Sequence, residues 1–282
     1  AIPIIFDLIS YGEKNIINKE IHLNARSLKL NILNKSHKKN NSSKGTNIIS
    51  LLNSTLNTEY DIINKLITFK SDSSKINQSR VSYNGKLSIN PFDLDLNIDL
   101  GNYKKSKIFN PNSILIELIK SELLFNQNIS SNVSIIMKSS ERKVIFQNKK
   151  IIFKILNGKI NFNGTRFVNN KIGSIELNNS NVFFKDNNLV LNTNVLIDIK
   201  NSDQLYSFFN TNKFSRKNIK NIRINLDYDF LTNQFKFNNI KIDNNELEDQ
   251  LLIIMNGLED NKLNNLNNTR RIVNEIFDAY EG

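Results

Sequence analysis

Asp93, Asp95 and Asp99 stand close together in the chain, and Asp227 and Asp229 form a second acidic set. Facing carboxylates can bind Ca²⁺ or divide acid and base roles between them. Both sets alternate with apolar residues, which places them along the wet face of a strand, where acids are ordinary. His22 and His37 are the only histidines. His37 sits in a basic run, His22 has no acidic or cysteine neighbour, and neither shows a metal-ligand spacing. With Cys 0, disulfides, thiolate catalysis and cysteine zinc sites are all removed. No G-x-S-x-G, Walker loop or dinucleotide glycine fingerprint occurs. This inventory argues against an enzyme, and it implies no cofactor and no metal.

The elements that would position these residues are mostly strands. Residues 219–242 read as strand, turn, strand in nearly pure alternation. Ile222, Ile224, Leu226, Tyr228 and Phe230 fall on one side, and Arg223, Asn225, Asp227 and Asp229 on the other. A period of two means a sheet with one apolar and one wet face. The same pattern covers Phe92–Leu100 after the turn signal Asn90-Pro91, then 129–138, 143–147, 150–156, 159–163, 171–177, 181–185 and 189–199. Short connections between these runs imply an antiparallel meander. Weaker strand signals surround Ile21, Leu23, Leu28, Leu30 and Ile32. Ser36–Gly45 reads as a basic loop, Ser71–Ser74 as another, and the spacing over 46–69 favours one or two short helices. Further helices are expected after Asn110-Pro111, over Ser202–Asn212, over Glu246–Met255 and over Asn261–Tyr280, the last with a stripe of Leu266, Val273, Ile276, Phe277 and Tyr280.

The fold class expected is mainly β: a long curved antiparallel sheet, an open trough, with a few flanking helices and a helical C-terminus. Three segments follow: 1–80 with a basic loop and short helices, 81–243 as the main sheet, and 244–282 as a helical end. Gly 9 and Pro 3 are low counts for such a protein. Asn must therefore build the turns, since it tolerates left-handed backbone; Asn84-Gly85, Asn157-Gly158, Asn163-Gly164, Asp186-Asn187 and Asn238-Asn239 are the candidates. The net charge of +11 is uneven: from residue 241 onward four basic residues face nine acidic ones, a net −5, leaving +16 on the rest. A basic body suits anionic membranes or nucleic acid. The Phe residues, however, fall mostly on the apolar side of strands rather than interleaving with exposed cations, which argues against nucleic acid. Arg270-Arg271 on the last helix could meet a phosphate headgroup, as could any solvated basic pair. No run reaches the ~20 apolar residues that span a bilayer.

From Lys171 the chain resembles AsmA-like proteins of Gram-negative envelopes. The residues that carry this are K-I-G-S-I-E-L-N-N-S-N-V-F-F-K-D-N-N-L-V-L-N-T-N-V-L-I-D-I-K (171–200), D-Q-L-Y-S-F-F (203–209), I-R-I-N-L-D-Y-D-F (222–230) and F-K-F-N-N-I-K-I-D (235–243). Y-N-G-K-L-S-I-N-P-F-D-L-D-L-N-I-D-L (83–100) is similar to the family's strand repeats. The resemblance implies a periplasmic β-trough lined with apolar residues, tethered to the inner membrane by an N-terminal anchor. It also implies a part in phospholipid transport and outer-membrane homeostasis. This sequence lacks the tether, so the expectation is the C-terminal piece of a longer protein.

Two functions are then open. In the first, phospholipid acyl chains lie along an apolar sheet face lined by Phe92, Leu94, Leu96, Ile98, Ile160, Phe162, Ile222, Ile224, Leu226, Tyr228, Phe235 and Phe237. In the second, the same residues form a closed core, and the chain is a structural or assembly module of the envelope whose C-terminal helix docks a protein partner. Alternation alone favours the closed core; the resemblance favours the groove. Whether the apolar strand faces are covered discriminates the two.

Overall fold

A computed structural model describes residues 4–13, 15–76, 79–101, 119–139, 145–185, 188–243, 245–246 and 266–280. The chain is mainly β, its strands mostly antiparallel, with a C-terminal helix. It divides into two compact units: Ala1–Lys105 with Asn128–Glu141, and Ser106–Gln127 with Arg142–Gly282. The boundary expected at 80/81 falls inside a strand, because the pairing of that strand with both neighbours outweighs any local change in composition.

In the first unit, β1 (Ile5–Glu13), β2 (Ile16–Ala25), β3 (Leu30–Lys39), β4 (Ser42–Leu51), β5 (Ser54–Ile63), β6 (Leu66–Ile76), β7 (Ser79–Ile89) and β8 (Phe92–Leu100) form an antiparallel meander. β9 (Ile129–Lys138) then pairs parallel to β8. Two-residue turns at 40–41, 52–53 and 64–65 place Asn40, Leu52, Asn64 and Lys65 in left-handed backbone. Asn does the work of glycine at two of these four positions.

Four expectations are corrected here. Residues 46–69 are strands, not helices. The doublets Ile48-Ile49, Ile62-Ile63 and Leu66-Ile67 mimic helical spacing, but each doublet puts one residue on either side of the sheet. Ile48, Ile63 and Leu66 are exposed, while Ile49, Ile62 and Ile67 are half-buried on the other face. Ser36–Gly45 is a hairpin rather than a loop, and Ser71–Ser74 is a bulge within β6. Asn84-Gly85 lies in the middle of β7, not in a turn.

The second unit contains β10 (Asn148–Leu156), β11 (Lys159–Asn161), β12 (Arg166–Asn169), β13 (Gly173–Lys185), β14 (Asn188–Ile199), β15 (Asn221–Asp229), β16 (Gln234–Ile242) and β17 (Asn245–Glu246). Helices α1 (Ser202–Phe209) and α2 (Leu266–Ala279) complete it. The runs 171–177 and 181–185 join as the single strand β13, which carries an irregularity between Asn178 and Asn181. Asn238-Asn239 is not a turn but the site of a bulge opposite Asn225 and Leu226. Asn157-Gly158 and Asn163-Gly164 do turn the chain. The expected helices after Asn110-Pro111 and over Glu246–Met255, and the turn at Asp186-Asn187, lie wholly or mostly outside the described residues.

Helix α1 starts where the Asn201 side chain accepts from the Gln204 N–H and ends at Asn210 in left-handed backbone. Its buried Leu205, Tyr206 and Phe209 meet Ile272 and Phe277 of α2 over the strand residues Leu226, Phe237, Ile240 and Ile242. Tyr206 and Phe277 pack edge to face, 5.1 Å between centroids. Backbone carbonyls at the end of α1 accept from Arg270 and Asn274 of α2. The apolar stripe of the last helix thus packs on its own unit.

Candidate functional site

Strand register assembles the candidate residues of the first unit. Residues directly opposite one another across antiparallel strands share a face. Ile62, Ile67, Leu87 and Leu94 form one such row across β5–β8. Tyr60, Phe69, Gly85, Leu96 and Val133 form the next, and Tyr83, Ile98 and Ile135 a third. Phe92 stands opposite Ile89 and Ile129. The structure therefore brings the predicted Phe92, Leu94, Leu96 and Ile98 onto one apolar surface spanning β5–β9.

Gly85 explains how aromatic rings lie down on that surface. A Cβ there would come within 2.5 Å of the Phe69 ring, so only glycine lets the ring rest on the neighbouring strand. Gly45 and Tyr60 repeat the device. The surface also carries polar groups: Asn34 of β3 donates to the Tyr60 hydroxyl at 3.0 Å, and the hydroxyls of Thr58 on β5 and Tyr83 on β7 are 2.5 Å apart.

Leu94, Leu96 and Ile98 are half-buried, and Phe92 and Ile89 are 38% and 65% exposed. Full burial on this surface is confined to a few residues, among them Val81, Leu100, Ile135 and Met137. Among the described residues the first unit consists of strands and one short turn of 3-10 helix, without a second layer of its own.

The candidates in the second unit meet a different fate. Leu226 and Phe237 are buried in the core beneath α1 and α2, and Ile222, Ile224, Tyr228 and Phe235 pack against it. Ile160 and Phe162 are also buried, the latter ring 5.4 Å from that of Phe153. Over Leu226 and Phe237 the strand face is covered by the chain's own helices. What remains is an apolar cavity of 160 Å³ among Ile172, Ile197, Leu205, Phe209, Val273 and Phe277. That is on the scale that holds one benzene-sized group.

The opposite face of the first unit is polar and bears a hollow of about 890 Å³ among Lys35, His37, Lys44, Asp61, Lys70 and Lys86. Its charges pair across strands: Lys35 with Glu20, Lys44 with Asp61 and Lys70 with Glu59, at 3.1–3.3 Å. Such pairing leaves little net field to attract an ionic ligand.

The two acidic sets belong to different units. Asp95 accepts from Asn132, Asp227 accepts from Asn192 at 2.6 Å, and Asp229 closes a turn by accepting the N–H groups of Leu231 and Thr232. His22 and His37 bond to Asn31 and Asn18. Among the described residues no acidic or histidine cluster could hold a metal ion, and no helix is long and apolar enough to cross a membrane. Arg270 lies over the Phe208 ring and Arg271 pairs with Glu275, so both are engaged within their own unit.

Ile62, Ile67 and Phe69 share the apolar surface and were hidden by the helical reading of 46–69. Asn40, Asn53, Asn64, Asn77 and Asn90 recur at spacings of 11 to 13 residues. That rhythm of a turn-forming residue at strand-length spacing is the signal that reveals them. Compared with protein families, curated proteins and solved structures, the chain matches none. The likeness to AsmA-like proteins rests on the strand and turn pattern of the sequence alone.

Proposed function

We propose that this chain is a non-enzymatic lipid-binding or lipid-bridging module in which the first unit holds phospholipid acyl chains along the apolar surface of β5–β9. The observation that carries the reading is a mainly apolar strand face, half-buried over most of β5–β8, in a unit whose described residues supply no covering layer. Burial contributes about 0.8 kcal/mol per CH₂, so one acyl chain suffices for binding. The AsmA-like resemblance supports the same reading and adds a periplasmic location, an inner-membrane tether outside this sequence, and a part in phospholipid transport and outer-membrane homeostasis.

The second reading, a structural or assembly module, is favoured by the closed core of the second unit. Native mass spectrometry of protein purified in mild detergent, with lipid extraction of the same sample, separates the two. Co-purified phospholipid at a reproducible ratio is expected. Lipid-free protein that also takes up no fluorescent phospholipid would transfer the assignment to the structural module.

A further inference from the structure

Phe214 is 93% exposed, the most exposed large hydrophobic residue among those described; Leu52 follows at 69%. Single exposed apolar residues are ordinary. What sets Phe214 apart is the loop that carries it and the charge around it.

The loop between α1 and β15 is fixed by its own hydrogen bonds. The Asn212 side chain accepts from the Phe214 N–H, and the Asn212 carbonyl from Ser215. The buried Tyr206 hydroxyl donates to the Lys217 carbonyl at 2.6 Å and accepts from the Lys217 N–H at 3.0 Å. Arg216 folds its guanidinium back onto the Thr211 carbonyl. The ring of Phe214 is thus held away from the body by a built turn.

Lys213, Lys217 and Lys220 around it are exposed, and no acidic residue occurs between Asp203 and Asp227. Asp243 reaches the end of the loop but accepts backbone N–H groups of Lys220 and Asn221. An exposed aromatic ring on a loop that also carries exposed lysines is the chemistry of an interfacial anchor: the ring leaves water among acyl chains while the ammonium groups meet anionic headgroups.

We propose that this loop docks the second unit on an anionic bilayer surface, with Phe214 inserted below the headgroups. The docking stands independently of acyl-chain binding by the first unit. The chain contains no tryptophan, so a Phe214→Trp variant carries a single indole at the point of contact. Its emission is expected to shift to the blue, and to be quenched by brominated acyl chains, with phosphatidylcholine vesicles containing phosphatidylglycerol and far less with phosphatidylcholine alone. Phe214→Ala should weaken vesicle co-sedimentation about tenfold or more. Replacing Lys213 and Lys217 by Gln should weaken it about fivefold per charge. An unshifted indole, or Phe214→Ala binding as tightly as the parent, overturns the proposal. So does a Phe214→Trp signal that responds to duplex DNA and not to vesicles.

Discussion

Asn169 is buried, yet every polar atom of its side chain is engaged. Its amide donates to the Ile145 carbonyl at 2.6 Å, and its oxygen accepts the N–H groups of Lys171 and Ile172 at 2.9 and 3.0 Å. Asn169→Ala strands three backbone groups, and a loss of about 2–3 kcal/mol is expected in urea unfolding. Glu246 is a surface counterpart with a pH signature. The hydrogen bond from the Lys241 ammonium at 2.7 Å, then one from Asn239 and the Lys241 charge, hold its carboxyl below the usual glutamate range. A depressed folded value means that the contribution is complete above the unfolded-chain value and lost as pH falls through the folded one. The NMR titration of Glu246 should therefore have its midpoint on the acid side of a free glutamate, and Lys241→Gln should move it back up.

At the scale of elements, equal alternation leads to two kinds of packing. β15 buries Leu226 under α1 and α2, with Ile224 against the same core. β8 presents Leu94, Leu96 and Ile98 on a face that stays half-buried. A charge inserted at each site tells them apart. Leu226→Glu is expected to unfold the second unit, since a buried carboxylate without a partner is costly. Leu96→Arg is expected to keep the β-type circular dichroism spectrum and the unfolding midpoint close to the parent while abolishing uptake of fluorescent phospholipid. Unfolding of both variants would show that β8 is core as well. The legible part of this contrast was the alternation itself, including Phe92–Leu100 and 219–242. The strands over 46–69 were not legible, because apolar doublets carry helical and strand spacing at once and only the paired partners choose between them.

At the scale of the whole molecule, two units of one chain differ in how they hold together. The second combines strands with helices over a shared core, whereas the described part of the first is strands and turns. Local stability follows the density of buried contacts. Backbone amides of β14–β16 should accordingly exchange with deuterium more slowly than those of β1–β4, and uniform protection would contradict that ordering. Local sequence suffices for the mainly β class, the exposed placing of Asp93 and Asp95, a helix within 202–212 and the last helix. Each of these follows from local periodicity and capping, which need no distant partner. Which apolar faces are closed was decided only by the tertiary structure. A period of two says that one side of a strand leaves water, and it reads the same under a packed helix or an uncovered surface. For Leu226 the cover comes from α2, some forty residues further along the chain; for Leu96 the described residues of its own unit supply none.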